Sequence, residues 1–341
     1  MNPYGSSVGA NDFHPETCAF FAGKRVAVTG GGGFIGSHVV EQLLALGAEI
    51  VVPSRMGGST HLAHLAGKVE FRRADLSDDA SCRQAIAGTQ VVMHLAADVA
   101  GLSYNMAHPA SIFDANMRMG LSVLAASRAV AVERVLVCSS ACVYPRFCSV
   151  PTPEEEGFRD EPEPSNAGYG WSKRMLEFLG AQYAREFGLP VAIARPYNAY
   201  GPRDTFDPER SHVIPALIRK ALEAENGVLK VWGDGKASRS FVYVDDFARG
   251  LIEVAARYAQ ADPVNIGADE EVTIGETAGL VAGLVGERIG RPLRLEFDAS
   301  APSGQPRRHC DTSKAERLLG FTARVGLSEG LARTIDWYLS Q

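Results

Sequence analysis

Cysteine, positive charge and long apolar runs are all scarce in these 341 residues. The six cysteines, Cys18, Cys82, Cys138, Cys142, Cys148 and Cys310, are too few and too scattered for a disulfide framework, and no pair has zinc-ribbon spacing. Reduced thiols are expected, and no metal. Lys and Arg number 34 against 40 Asp and Glu, a formal charge of −6. The basic excess that a nucleic-acid surface needs is missing, so no nucleic-acid partner is expected and small anions must be held by local groups. No stretch approaches the roughly 20 apolar residues of a membrane span. Met1 to Thr17 is polar and lacks the apolar centre of a signal peptide. The expectation is a cytoplasmic chain with no membrane partner, in which residues 1–19 form a mobile arm that packs on a partner subunit. No internal repeat is visible. The 46% hydrophobic content suffices for one large or two modest domains with a real core.

The chain is organised around Arg25-Val26-Ala27-Val28-Thr29-Gly30-Gly31-Gly32-Gly33-Phe34-Ile35-Gly36-Ser37-His38. A short apolar run enters a glycine cluster, and Val39 to Leu44 follow with the spacing of a helix face. In such a strand, turn and helix the first glycine makes the turn, the second admits a pyrophosphate, and the third allows close helix packing. Gly30, Gly33 and Gly36 hold those places, one residue wider in the first gap than the common dinucleotide fingerprint.

Glu49 to Pro53 reads as a second strand, and no acidic residue follows it. A carboxylate there would bind the ribose hydroxyls of NAD and repel the extra phosphate of NADP. Ser54 and Arg55 instead offer a hydroxyl and a guanidinium, so the reading is NADP or NAD with a lean to NADP. Val69 to Arg73 is a third strand. Asp75, before Leu76, either accepts from the adenine amino group or caps the helix opening near Ser77. Gln90 to Ala97 is a fourth strand whose Leu95, Ala96 and Ala97 leave room for a cofactor; His94 within it reads as a core histidine. A helix over Ser111 to Ala129 carries Asn116, and Val132 to Ser140 makes a fifth strand. Pro151 to Ser165 reads as a solvated loop, Tyr169 to Phe187 as a helix and Val191 to Arg195 as a sixth strand. This alternation predicts an α/β fold of Rossmann type, a doubly wound parallel sheet with ligands at the carboxyl ends of its strands. Residues 20–195 plus about 241–266 are expected to form the NAD(P)-binding domain. About 196–240 plus 267–341 are expected to form a smaller, mostly C-terminal substrate domain.

Tyr169 and Lys173 stand four residues apart, on one face of a helix. A nearby cation favours phenolate, and lowering a tyrosine pKa by about two units takes roughly 3 kcal/mol, to be supplied by the lysine and a positive nicotinamide together. With Thr29 to Gly36, Asp75-Leu76, Leu95-Ala96-Ala97, Asn116, Ser139-Ser140 and Arg195-Pro196, this pair resembles the extended short-chain dehydrogenase/reductases that act on nucleotide sugars, over nearly the whole chain past residue 20. The resemblance implies that Ser140 positions a substrate hydroxyl, that Tyr169 exchanges its proton, and that Lys173 binds the nicotinamide ribose and lowers the tyrosine pKa.

Within that family, Ser140-Ala141-Cys142-Val143-Tyr144-Pro145 and Ser211-His212-Val213-Ile214-Pro215 resemble the branches that epimerise a GDP-hexose beside a ketone, the GDP-mannose 3,5-epimerases and the GDP-L-fucose synthases. An extended chain after the fifth strand would turn Ser140 and Cys142 to one face. His212, from the other lobe, either caps the helix that starts near Val213 or joins Cys142 as an acid/base pair. Asp98, the order Ser-Ser-Ala-Cys and Trp232 to Gly235 lean to the epimerases. Arg203 to Pro208, Asp298 to Pro302 and the absent acidic residue lean to the synthases. The balance favours the epimerase branch, with the synthase branch as the alternative. A catalytically silent, cofactor-sensing binding protein is the alternative of another class, against which the intact Ser140, Tyr169 and Lys173 argue. Arg239, Arg307 and Arg308 match family positions for the diphosphate, where a planar guanidinium donates two bonds at once; Asn198 and Lys220 are further candidates. A homodimer is the family expectation.

Overall fold

The strand read at Arg25–Thr29 runs through the middle of the molecule, and the sheet forms around it. The computed structural model describes residues 5–99, 101–300 and 305–341. Seven parallel strands lie in the order Pro263–Ile266, Val191–Pro196, Arg134–Cys138, Val91–His94, Arg25–Thr29, Glu49–Ser54, Val69–Arg73. The chain leaves Arg25–Thr29 in one direction and returns on its other side, which makes the edge between that strand and Val91–His94 the switch point where ligands bind. Val26, Val28, Val91 and Met93 are fully buried because helices cover both faces. Phe34–Ala45 and Val244–Arg257 pack together on one face; Asp79–Ile86, Pro109–Ala129 and Ala167–Phe187 cover the other.

The smaller lobe has its own core of Ile214, Leu217, Ile218, Val281, Val285, Leu331 and Ile335, contributed by the helices Val213–Leu222, Ile274–Ile289 and Leu327–Leu339. Its sheet joins Asn198–Tyr200, Ser238–Tyr243, Glu271–Thr273 and Arg307–Arg308, and a parallel pair, Val228–Trp232 with Arg294–Asp298, lies beside it. No helix among the described residues is long and apolar enough to cross a membrane.

Several expectations need correction. The fourth strand ends at His94, so Leu95 to Ala97 are loop. Phe241 to Tyr243, expected in the larger lobe, complete a strand of the smaller sheet, and the chain re-enters the larger lobe only with Val244–Arg257. Pro151 to Ser165 is no solvated loop: Glu154, Glu156 and Glu163 are buried, each with a donor. Asn265 N donates to Glu154 at 2.8 Å, Arg159 to Glu156 at 2.8 Å and Arg146 to Glu163 at 3.3 Å. The N-terminal arm, from Gly5 onward, packs on its own chain. Phe13 and Phe21 enter the core, Thr17 donates to Glu253 at 2.6 Å, and Ser6 and Ser7 bond the carboxylates of Glu41 and Asp245. Residues 1–4 of that arm, and Ala301 and Pro302 of the Asp298 motif, lie outside the described residues.

Candidate active site

At the switch point the glycine turn closes on two contacts that admit no side chain. Gly30 has φ +71°, a left-handed conformation that favours glycine, and a Cβ there would lie 2.8 Å from Ala96 N. A Cβ on Gly36 would lie 2.1 Å from Gly30 O, so the first turn of the helix rests directly on the glycine turn. Gly33 caps that helix without a side-chain acceptor, which leaves the N-terminal N–H groups around Phe34, Ile35 and Gly36 facing the cleft. A cradle that a Cβ would fill, backed by a helix N-terminus, fits the pyrophosphate of a dinucleotide.

Ser54 is engaged in its own turn, donating to Gly58 O and accepting from Met56 N, both at 3.3 Å. Arg55 lies close enough to Asp75 to help hold that carboxyl down, behind the two hydrogen bonds from Ser77. Of the two readings of Asp75, the helix cap fails: Asp78 caps Asp79–Ile86 by accepting from Ser81 N at 2.7 Å. Asn116 stitches the loop after His94 by bonding both the N–H and the carbonyl of Asp98. His94 is a core residue, its Nδ1 2.9 Å from Thr29 Oγ1, and burial followed by the charge of Lys173 pushes it down to about 3.

Tyr169 and Lys173 are both buried on the inner face of Ala167–Phe187. Lys173 Nζ donates to Cys138 O at 2.8 Å and lies 5.4 Å from the Tyr169 ring centroid. The expected lowering of the tyrosine pKa does not occur in the chain alone. Burial, and then the neighbouring Cys142 and Cys138, push the phenol well above its ordinary value, with a hydrogen bond to Ser140 pulling the other way. Burial likewise lowers Lys173, opposed by Cys138, Cys142 and Glu177.

Cys142 reaches this group by a different route from the one expected. The chain does not stay extended after the fifth strand: Ser140 Oγ accepts from Cys142 N at 3.1 Å and caps a single 3₁₀ turn, Ala141–Val143. The turn still leaves Cys142 beside Tyr169 and Lys173, with its Sγ 4.0 Å from Arg308 Nη1. His212 supplies no side-chain cap to Val213–Leu222. Its side chain lines the cleft and remains exposed, and partial desolvation by the cleft walls lowers its pKa.

Arg239 and Arg308 are paired in register on neighbouring strands of the smaller lobe. Burial and then the like charge of Arg308 lower Arg239 to about 10, against the pull of Glu163. Two guanidiniums held together in a cleft wall suit a polyanion. Arg307 does not join them. Successive strand residues face opposite ways, and Arg307 points outward into a two-bond pair with Glu271, each bond 2.7 Å. Asn198 donates to Ser240 O at 2.8 Å, and Lys220 Nζ sits 4.5 Å from the ring centroid of the exposed Trp232.

Apart from Arg307, every candidate residue lines one continuous cleft of about 2160 Å³. Ligand sites typically measure about 300–1,000 Å³, so this one has room for a dinucleotide and a second nucleotide together. Asp204, inside the Arg203 to Pro208 motif but given no role in the sequence reading, forms part of its wall. Burial there raises the carboxyl to about 7.

Residues 26–267 match the model of the NAD-dependent epimerase/dehydratase family. The chain is 35% identical to dTDP-4-dehydro-6-deoxy-D-allose reductase of a Streptomyces species, over 93% of this chain and 97% of that one. It is also 35% identical to GDP-L-fucose synthase 1 of Arabidopsis thaliana (92% and 93%) and 30% identical to GDP-mannose 3,5-epimerase 1 of Oryza sativa subsp. japonica (93% and 82%). Among solved structures it resembles a GDP-L-fucose synthetase from Naegleria fowleri bound to NADP, with a TM-score of 0.79 and 28% identity over 93% of each chain.

Proposed function

The chain belongs to the NAD-dependent epimerase/dehydratase family and is an NAD(P)-dependent nucleotide-sugar epimerase or epimerase-reductase; on that premise we propose that it epimerises and reduces a GDP-4-keto-6-deoxyhexose, as a GDP-L-fucose synthase does. The observation that carries this reading is the meeting of Ser140, Tyr169 and Lys173 with Cys142 and His212 in one cleft.

A ketone at C4 acidifies the hydrogens on C3 and C5, because loss of either leaves an enolate whose oxygen the Ser140 and Tyr169 hydroxyls can hold. Cys142 from the larger lobe and His212 from the smaller then act as the acid/base pair, one removing a proton and the other returning one to the opposite face. Desolvation lowers the His212 pKa and so favours the neutral imidazole, the form that can accept a proton. The glycine turn and Lys173 would hold a nicotinamide cofactor, which when bound would supply the hydride for C4. Tyr169, kept protonated by its burial, gives its proton to the C4 oxygen. The 35% identity to relatives named GDP-L-fucose synthase, against 30% to one named GDP-mannose 3,5-epimerase, supports the reductase branch over the epimerase branch that the motifs favoured. Arg239 and Arg308 would hold the diphosphate.

NADP is the cofactor we propose, because Ser54 and Arg55 border the cleft where NAD binding would call for a carboxylate. The homodimer is part of the same proposal, supported by exposed Phe113, Leu121 and Phe178 on the paired helices Pro109–Ala129 and Ala167–Phe187. Asp98 and the Ser-Ser-Ala-Cys order favour GDP-mannose 3,5-epimerase as the second reading. Mixing the protein with GDP-4-keto-6-deoxy-D-mannose and NADPH in deuterated water separates the two. NADPH consumption in step with sugar product is expected. No consumption, together with exchange into GDP-mannose when no cofactor is added, would favour the second reading.

A further inference from the structure

Behind the catalytic tyrosine and lysine lies a buried ionic cluster that the chemistry above does not use. Glu177 follows Tyr169 and Lys173 at the same spacing of four along Ala167–Phe187, so the three side chains stack on one face. Its Oε1 accepts from Arg195 Nε at 2.8 Å and from the Ser139 hydroxyl, and its Oε2 accepts from Arg195 Nη2 at 2.6 Å. Arg195 Nη1 donates onward to Glu154 O at 2.6 Å and to Tyr144 OH at 3.2 Å. Glu177 is 3% exposed, Arg195 1% and Ser139 2%. The site is sealed from outside as well, since a Cβ on Gly157 would come within 2.4 Å of Arg195 Nη1.

Stability alone explains this arrangement poorly, because the cost of desolvating both charges offsets most of their attraction. Its placement offers a better reason. Ser139 is held at two points, its N–H donating to Ala194 O at 2.8 Å and its hydroxyl to Glu177. Ser140, the next residue, therefore leaves the strand in a fixed direction, toward Tyr169. On the same helix face, one turn up, Lys173 is buried among groups from several elements: Cys138 from the fifth strand, Cys142 from the 3₁₀ turn, His94 from the fourth strand, and Tyr169 and Glu177 from its own helix. Burial works against its charge, and Glu177 is the carboxylate in that set.

We propose that Glu177 is a positioning residue of this active centre: it fixes Ser139, and through it Ser140, against the tyrosine–lysine helix, and it sets a carboxylate one turn along the same helix face from Lys173 as the counter-charge to its ammonium. The inference rests on the reading of Ser140, Tyr169 and Lys173 given above. Arg195 supports this from behind, holding the Glu177 carboxylate in place through two hydrogen bonds.

The test is a titration of Lys173 followed by NMR in protein carrying carbon-13 at the lysine Cε, the Lys173 signal being assigned by its loss in Lys173→Arg. In Glu177→Gln the midpoint is expected to fall by about one pH unit or more, the usual effect of losing an adjacent opposite charge. The alkaline limb of kcat should move by the same amount with little change in KM, and Glu177→Asp should restore both toward the parent. Should Glu177→Gln fail to fold because Arg195 is left unpaired, Glu177→Gln/Arg195→Met removes both charges and should also titrate below the parent. An unmoved midpoint, a pH-independent loss of kcat, or failure of both variants to fold would assign the cluster to stability and overturn the proposal. A parent protein that turns over no nucleotide ketosugar would count against the proposed function, while the NMR midpoint would still decide the role of Glu177.

Discussion

Replacing Gly36 with alanine should reverse the usual effect of that exchange. Within a helix, Gly→Ala normally stabilises by about 0.5–1 kcal/mol, because glycine loses more backbone freedom on folding. At Gly36 the added Cβ would lie 2.1 Å from Gly30 O and 2.7 Å from both Gly30 C and Gly31 Cα. All three are backbone atoms of the turn, so no side chain can swing aside. Overpacking of this kind costs about 1–3 kcal/mol, which outweighs the helical gain and leaves a net loss of roughly 1–2 kcal/mol. The strain falls on the turn that is to hold the pyrophosphate, so NADPH affinity should drop along with stability. Gly279 is the control: it lies on the exposed side of Ile274–Ile289 with nothing within 4 Å of its added Cβ, and Gly279→Ala should gain about 0.5–1 kcal/mol. Urea unfolding and fluorescence titration with NADPH on both variants read out the contrast. A Gly36→Ala protein as stable as the parent and binding NADPH equally well would refute the reasoning.

The two inward arginines and the outward one should separate in kinetics. Arg239→Ala or Arg308→Ala removes charge-assisted hydrogen bonds worth about 1.5–3 kcal/mol, so KM for the sugar nucleotide should rise about 10- to 100-fold, while Arg307→Ala leaves it nearly unchanged; equal effects at all three would contradict the assignment. Acid should weaken the fold through His94. The unfolded chain takes up its proton near pH 6.5 and the folded chain only near 3, so between those values the unfolded state binds more protons and stability falls with pH. At pH 5 the loss from this one group is about 2 kcal/mol. Urea unfolding at pH 7 and pH 5 should show that share missing from His94→Gln, and an identical pH dependence in the variant would contradict it.

What could be read from the sequence was mostly what is fixed by residues close together in the chain. The strand into Gly30 and the helix carrying Tyr169 and Lys173 depend on local period and local glycine chemistry, and they lie where expected. Arg307 and Arg308 were indistinguishable because a two-residue strand has no visible register; only its pairing with Ser238 and Arg239 sets which one faces the cleft. Glu154, Glu156 and Glu163 looked solvated by composition, and they are buried because donors reach them from as near as Arg159 and as far as Asn265. The 3₁₀ turn at Cys142 follows from the Ser140 side chain folding back on its own backbone, an alternative to the extended strand that alternation alone does not reveal. Small polar residues of the N-terminal arm carry no periodic signal, and their partners Asp245 and Glu253 lie more than 230 positions away.

The account turns on a thiol and an imidazole, from separate lobes, that move protons beside a ketone. Its most direct test is mass-spectrometric deuterium incorporation at C3 and C5 of GDP-4-keto-6-deoxy-D-mannose in deuterated water, for the parent, Cys142→Ala and His212→Ala, with NADPH binding measured alongside. The parent should exchange both positions, and each variant should lose about 100-fold or more in rate at one or both while still binding NADPH. Variants that exchange both positions at the parental rate would contradict it.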